Sequence, residues 1–287
     1  IGMAENLAIE GRYSVRAPMQ WSAEPQAGFT TADEPCRPLV EDGPFAFREV
    51  NVTGTEMVLR EAIIAGVRKF VHFSSIKAAA ERSTVPLDET IDPHPEDAYG
   101  ISKREAEVRV LDMATRAAMP TVIIRPPLVY GPGMKGNLLR LFRLVDAGAP
   151  LPFGSIDNAR SMAFSGNVAW AVASLLRASL VDVEILHVAD EEAVSTRQLI
   201  MRVGASLEQR VRLIRCPVRL LRAAGNVGDK LNRIVRFPVT SSEIKRLTES
   251  LVLDTSKLRR LVGRPAHSLD EGLGETARWF REVRAAT

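Results

Sequence analysis

An α/β chain built on a doubly wound parallel sheet is what three features of this sequence predict. Apolar runs of strand length, Phe70-Val71-His72-Phe73 and Thr121-Val-Ile-Ile-Arg-Pro126, alternate with longer segments of helical periodicity. A hydroxyl pair, Ser74-Ser75, directly follows the first run, at the carboxyl end of a strand, which is where open parallel sheets hold their ligands. Between the two runs, Tyr99-Gly-Ile-Ser-Lys103 opens a helix that begins near Asp97, so strand, helix and strand make a βαβ unit.

That helix carries the chemistry. Tyr99 and Lys103 stand at i and i+4, which puts both side chains on one helical face about one turn apart. A tyrosine with a reference pKa near ~10 is a poor base at neutral pH, and a nearby ammonium lowers that value by favouring the phenolate. Tyr99 can then exchange a proton with a substrate hydroxyl while Ser75 hydrogen-bonds the same oxygen. A Tyr/Lys pair at this spacing is also a common surface pairing, and the βαβ setting is what lifts it above that.

These stretches resemble the extended short-chain dehydrogenases/reductases of the NAD-dependent epimerase/dehydratase type, and within them the UDP-sugar 4-epimerases and C4-reductases. The matching segments run in the family's order from Phe45 to Phe280. They are Asn51-Val-Thr-Gly54-Thr55, Phe73-Ser74-Ser75, Tyr99 to Lys103, Arg125-Pro-Pro-Leu-Val-Tyr-Gly-Pro-Gly133, Asp254-Thr-Ser-Lys257 and Ser268-Leu-Asp-Glu-Gly-Leu273. The resemblance implies a Rossmann-like sheet over residues 1–132 that binds NAD or NADP, with 161–179 packing back on it, and a smaller substrate lobe over 133–287. It implies catalysis by Ser75, Tyr99 and Lys103, with Gly2, Arg16, Ser74, Tyr99, Lys103 and Pro126 on the cofactor and Ser75, Asn137 and Arg160 on the nucleotide sugar. Asn51 takes a structural place near the site. A homodimer through the two helices of this half is implied as well.

The amino-terminal part departs from that pattern. In the family the first strand ends in a glycine-rich turn whose amides approach the pyrophosphate, and Gly2 looks like the last of those glycines. The first strand and the earlier glycines are therefore expected to be missing. Pro18 to Pro44 contains five prolines and no apolar run long enough for a core strand, although a complete dinucleotide fold needs further strands there. The acidic residue that would bind an NAD ribose is absent, and Arg16 leans towards NADP. These gaps motivate a second expectation, a dehydrogenase-like binding or scaffold protein that has lost its cofactor site.

Composition agrees with a soluble enzyme. A chain of 287 residues, 46% hydrophobic, can bury one core and a smaller lobe. Its net charge is +3 with Lys and Arg scattered among Asp and Glu, which argues for neither nucleic acid nor a membrane surface as partner. Cys36 and Cys216 lack the spacing of a zinc site or a disulfide framework, and the four histidines have no ligand spacing, so no metal is expected. No apolar run reaches the roughly 18 residues of a membrane span, and the start has no signal-peptide pattern. The cytoplasm is the expected compartment.

The remaining elements follow from local pattern. A helix from Phe45 to Ala65 ends at Gly66, and the run Arg104-Glu-Ala-Glu107 begins a polar face on the Tyr/Lys helix, with Val108, Leu111 and Ala114 to Ala118 packing inward. Pro126-Pro127 stops the second strand. Gly136-Asn137 starts a helix through Val145, Ser161 to Phe164 is strand-like, and Gly166 to Ala178 is an apolar helix. A strand at Glu184 to Val188, a helix capped by Ser195 or Thr196 and an amphipathic helix from Leu269 to Arg284 complete the chain. Arginines 202, 210, 212, 215, 219 and 222 alternate with Leu and Val, which reads as solvated helix faces. In the family's dehydratases an Asp-Glu pair follows the strand-end hydroxyl residue to eliminate water. Here Ile76-Lys77 stands there, so elimination is not expected.

Overall fold

The computed structural model describes residues 47–180, 182–231 and 240–285. Gly2, Arg16 and the segment from Pro18 to Pro44 lie outside the described residues.

A helical run opens the described chain, with a π-helical segment Glu49–Thr53 leading into α1 (Gly54–Ile64). Then come β1 (Phe70–Phe73), a 3-10 turn Ile76–Ala78, α2 (Ala98–Arg116), β2 (Thr121–Arg125) and β3 (Leu128–Tyr130). They are followed by α3 (Asn137–Asp146), β4 (Pro150–Leu151), β5 (Met162–Phe164), α4 (Ser165–Arg177) and β6 (Val183–His187). The last elements are α5 (Thr196–Leu207), β7 (Arg212–Leu213), α6 (Val218–Leu231), α7 (Ser241–Thr248), α8 (Ser256–Val262) and α9 (Leu269–Ala285).

Among the described residues the main sheet has the order β1-β2-β6 and is parallel throughout. All five residues of β2 are buried, as expected of a central parallel strand covered on both faces. Side chains alternate between those faces. Phe70, Ile123 and Ile185 meet Leu59 of α1 and Val110 of α2. Val71, Val122, Ile124 and Leu186 meet Val168, Ala171 and Leu175 of α4 and Leu258 of α8. Two short parallel pairs, β3 with β5 and β4 with β7, carry the rest of the chain. A second core lies among α3, α5 and α9, where Tyr130, Phe142, Phe164, Ile200, Leu273 and Phe280 pack together.

The outer edge of β6 is occupied by side chains. Lys257 Nζ donates to the Ile185 carbonyl at 3.0 Å and pairs with Glu184 at 2.7 Å. The His187 amide donates to Glu89 Oε1 at 2.8 Å.

Local signals explain several boundaries. Gly66 takes φ +65° just after α1, the left-handed step that ends many helices. Ser195 closes a capping box with Gln198 at the start of α5. The expected polar face at Arg104 to Glu107 is corrected by the structure, because Glu107 is fully buried while Val108 is 48% exposed. Ala106, Val110 and Ala114, at helical spacing, face the sheet instead. Glu107 borders that stripe, and a buried arginine on β2 draws it inward. Arginines 210, 212, 215, 219 and 222 are exposed, and Arg202 pairs with Glu192 and Asp270.

Candidate active site

The carboxyl ends of β1 and β2 and the start of α2 are tied into one corner. The Ser74 amide extends the ladder by donating to the Ile124 carbonyl, and its hydroxyl donates to Glu107 Oε1 at 2.6 Å. Ser75, in extended conformation and half-buried, caps the 3-10 turn, its Oγ accepting from the Lys77 amide at 3.3 Å. The Ile76 amide donates to the Pro126 carbonyl at 3.0 Å, which fixes the buried Pro126 beside this turn.

Asp97 caps α2, its carboxylate accepting from the Gly100 amide at 2.7 Å. Tyr99 and Lys103 therefore fall in the first turn and the next, both half-buried. Lys103 Nζ donates to the Phe73 carbonyl at 2.9 Å and stands 5.9 Å from the centre of the Tyr99 ring. Phe47 meets that ring edge-on at 5.7 Å. Asn51 donates to Ser102 Oγ at 2.9 Å, and Ser102 donates to the Tyr99 carbonyl at 2.8 Å, so the π-helical segment buttresses the same turn.

Behind this corner lies a buried ion pair. Arg125 donates to both oxygens of Glu107, at 2.8 and 2.7 Å, and Arg104 adds a third contact at 3.3 Å. Burial works to raise the Glu107 carboxyl, and the bonds from Arg125, Ser74 and Arg104 overcome it, leaving it below the ordinary value. His72, on the same face of β1, is lowered to about 4 by burial first and then by the Lys103 charge, against a smaller opposing pull from Glu107. Among the described residues its Nε2 has no hydrogen-bond partner. At Asp97, burial is again overcome, by the hydrogen bonds from Lys77 and the Gly100 amide, and the carboxyl lies below its usual range.

The structure thus brings Ser74, Ser75, Tyr99, Lys103 and Pro126 to one corner of the sheet. Asn137 is exposed as the first residue of α3. Arg160 is partly buried where it bridges to Val194 and Leu251, its Nη1 donating to the Glu249 carbonyl at 3.1 Å. Sequence reasoning missed the partnership of Glu107 with Arg125, which only the packing of α2 on β2 reveals. It also missed the buried knot in which Tyr130 donates to Asp190 at 2.9 Å and Asn167 donates to the same carboxylate at 2.8 Å. That knot joins β3 to α4 beneath the second core.

The corner fits the nicotinamide half of a dinucleotide. Lys103 and Tyr99 present an ammonium and a hydroxyl from one helical face, suited to ribose hydroxyls. Phe73, at the end of β1, leaves half of its surface exposed beside them, an apolar platform for a flat ring. Gly2, the one glycine of the pyrophosphate cradle expected in this chain, lies outside the described residues.

A parallel sheet covered by helices on both faces, with a hydroxyl pair at a strand end and a Tyr/Lys helix after it, defines the class of dinucleotide-dependent α/β enzymes. The model of the 3-beta hydroxysteroid dehydrogenase/isomerase family matches residues 42–192. UDP-glucose 4-epimerase of Vibrio cholerae is 35% identical over 241 residues, spanning 83% of this chain and 70% of that protein. N-acetyl-alpha-D-glucosaminyl-diphospho-ditrans,octacis-undecaprenol 4-epimerase of Escherichia coli O157:H7 is 26% identical over 239 residues, 81% of this chain and 71% of that protein. The crystal structure of UDP-glucuronic acid 4-epimerase from Bacillus cereus in complex with NAD superposes with a TM-score of 0.60 at 19% identity, covering 81% of this chain and 68% of that one. The chain belongs to the 3-beta hydroxysteroid dehydrogenase/isomerase family, a group of NAD(P)-dependent enzymes among the extended short-chain dehydrogenases/reductases.

Proposed function

We propose that this protein catalyses NAD(P)-dependent epimerisation or reduction at C4 of a nucleotide sugar, with Ser75, Tyr99 and Lys103 as its catalytic residues. The observation that carries the reading is the corner itself, where Lys103 reaches the Phe73 carbonyl from the turn after Tyr99, two residues in sequence before Ser75. When bound, NAD or NADP supplies the hydride chemistry. Tyr99 exchanges the proton of the C4 oxygen, Ser75 hydrogen-bonds that oxygen, and the Lys103 charge favours the tyrosinate while its ammonium holds the ribose. Pro126 lines the nicotinamide side, with Gly2 and Arg16 on the pyrophosphate and adenine-ribose side. Ser74 supports the nicotinamide side from within, its hydroxyl donating to Glu107. Asn137 and Arg160 take the substrate diphosphate.

The 4-epimerase relatives support the choice of carbon. The turn after Ser75 supports the absence of elimination. Neither Ile76 nor Lys77 carries a carboxyl group to protonate a leaving hydroxyl, and the Lys77 ammonium pairs with Glu81 at 2.8 Å and with Asp97. In this reading residues 1–132 form the cofactor lobe, with 161–179 packing back on it, and 133–287 the substrate lobe, except that β6 and α8, which join the main sheet, go with the cofactor lobe. The enzyme works in the cytoplasm as a homodimer, without nucleic acid or membrane partners. Exposed Met57 and Val58 on α1 and Ile101 and Val108 on α2 support that pairing.

Incubation with UDP-glucose, UDP-N-acetylglucosamine or a 4-keto nucleotide sugar, read by mass spectrometry and chromatography, tests the proposal. The expected products have unchanged mass, for an epimer, or two added hydrogens, for a reduced ketone. Tyr99→Phe is expected to lower kcat by about 10²–10⁴ with the fold intact. A product that has lost water, or near-normal turnover by Tyr99→Phe, sinks it.

A further inference from the structure

We propose that Lys77 is a positioning residue that locks the first turn of α2, and with it the Tyr99 hydroxyl, against the Ser75 turn. The inference rests on the reading above, in which Tyr99 and Ser75 act on one substrate oxygen.

Three parts of Lys77 meet three parts of this corner. Its amide donates to Ser75 Oγ. Its carbonyl lies so close to Gly100 that a Cβ built there would stand 2.4 Å from the oxygen, so the turn and the helix touch backbone to backbone. Its ammonium pairs with Asp97, the cap of α2, and with Glu81 at 2.8 Å. Asp97 in turn holds the Gly100 amide through its other oxygen. The chain of contacts runs from the Ser75 hydroxyl through one residue to the turn that carries Tyr99.

The Tyr99/Lys103 pair thereby has an anchor at each end. Lys103 is held to β1 through the Phe73 carbonyl. One turn earlier, Lys77 links the 3-10 turn to the cap and first turn of α2. Reacting groups tolerate little error: a displacement of about 1 Å costs on the order of 10²-fold in rate. An ammonium is suited to this place because it reaches two carboxylates at once, and its side chain is largely covered, at 23% exposure. The same charge explains the chemistry that is absent. The residue that stands where a dehydratase needs an acid is committed to geometry.

The test compares Lys77→Met, which keeps the stem and removes the charge, with Lys77→Arg, Asp97→Asn and Lys103→Met. Lys77→Met is expected to lower kcat by about 10- to 100-fold with KM changed less than about threefold, and Lys77→Arg to restore most of the rate. The acid limb of its pH–rate profile should stay where it is in the wild type, because Lys103 is intact, whereas Lys103→Met should move that limb to higher pH. Amide exchange over residues 98–101 should quicken at least about tenfold, with the later turns of α2 unchanged. The double variant Lys77→Met/Asp97→Asn should cost less than the sum of the two single ones, since both remove the Lys77–Asp97 contact. An active wild type with Lys77→Met equal to it in kcat, or with unchanged exchange in the first turn, overturns the inference. A wild type that turns over no nucleotide sugar overturns the functional reading instead, and is recognised before any variant is made.

Discussion

Glu107 and Arg125 place opposite charges in the interior, each at most 1% exposed, directly behind Ser74. Such a pair is costly to break from one side, because the partner is left as a buried charge without compensation. Glu107→Ala is accordingly expected to destabilise the protein by about 3–5 kcal/mol, measured by denaturant unfolding, and to do more harm than Arg104→Ala at the half-exposed third contact. His72 adds a pH dependence whose sign is fixed by its environment. Its folded value lies near 4, below the ordinary 6.5, so the unfolded chain takes up the proton first. Stability from this residue is fully present above about pH 6.5 and is lost as pH falls towards 4, by about 3 kcal/mol over the window. Unfolding curves at pH 7.5 and 4.5 should show His72→Gln losing less than the wild type. Neither residue was legible in the sequence as a participant. A glutamate in a run of charges and a histidine in an apolar strand acquire their roles only when α2 packs on β1 and β2.

Secondary-structure elements were far more legible, since the periods that set them are local. Asp97, Ser195 and Gly66 stand at helix ends for the hydrogen-bonding and left-handed-step reasons their residue types suggest. The face of α2 was misjudged at Val108 because one buried ion pair rotates the apparent stripe. Glycines at the helix level separate fit from propensity. Gly100→Ala, in the first turn of α2, puts its methyl 2.4 Å from the Lys77 carbonyl and should destabilise by about 1–3 kcal/mol with a fall in kcat. Gly274→Ala, inside α9 with nothing within 4 Å of the added carbon, should instead stabilise by about 0.5–1 kcal/mol. Thermal melts of the two variants, with their kinetics, check both signs.

At the scale of the whole molecule, the larger cores of the described residues fall into two groups. One clamps the three-stranded sheet between α1 and α2 on one side and α4 and α8 on the other, and the other gathers α3, α5 and α9 around Phe142 and Phe280. The outer surface of α1 and α2 keeps Met57, Val58, Ile101 and Val108 at 51%, 60%, 45% and 48% exposure. If that surface pairs with a second copy, Met57→Glu/Val108→Glu should shift the protein to monomer in sedimentation velocity while leaving its circular dichroism unchanged. An unaltered sedimentation coefficient would place the contact elsewhere or remove it.

The side chains along β6 have a bearing on how this protein behaves when crowded. An edge strand with bare amides and carbonyls is a template onto which any passing chain can add a strand, and the outcome is aggregation or fibril growth. Here the outward carbonyl of Ile185 is taken by Lys257 and the outward amide of His187 by Glu89. A newcomer would have to displace a charged group from each of these two positions before pairing with them. The guard consists of two long side chains and leaves the strand itself free to stay short and parallel to β2.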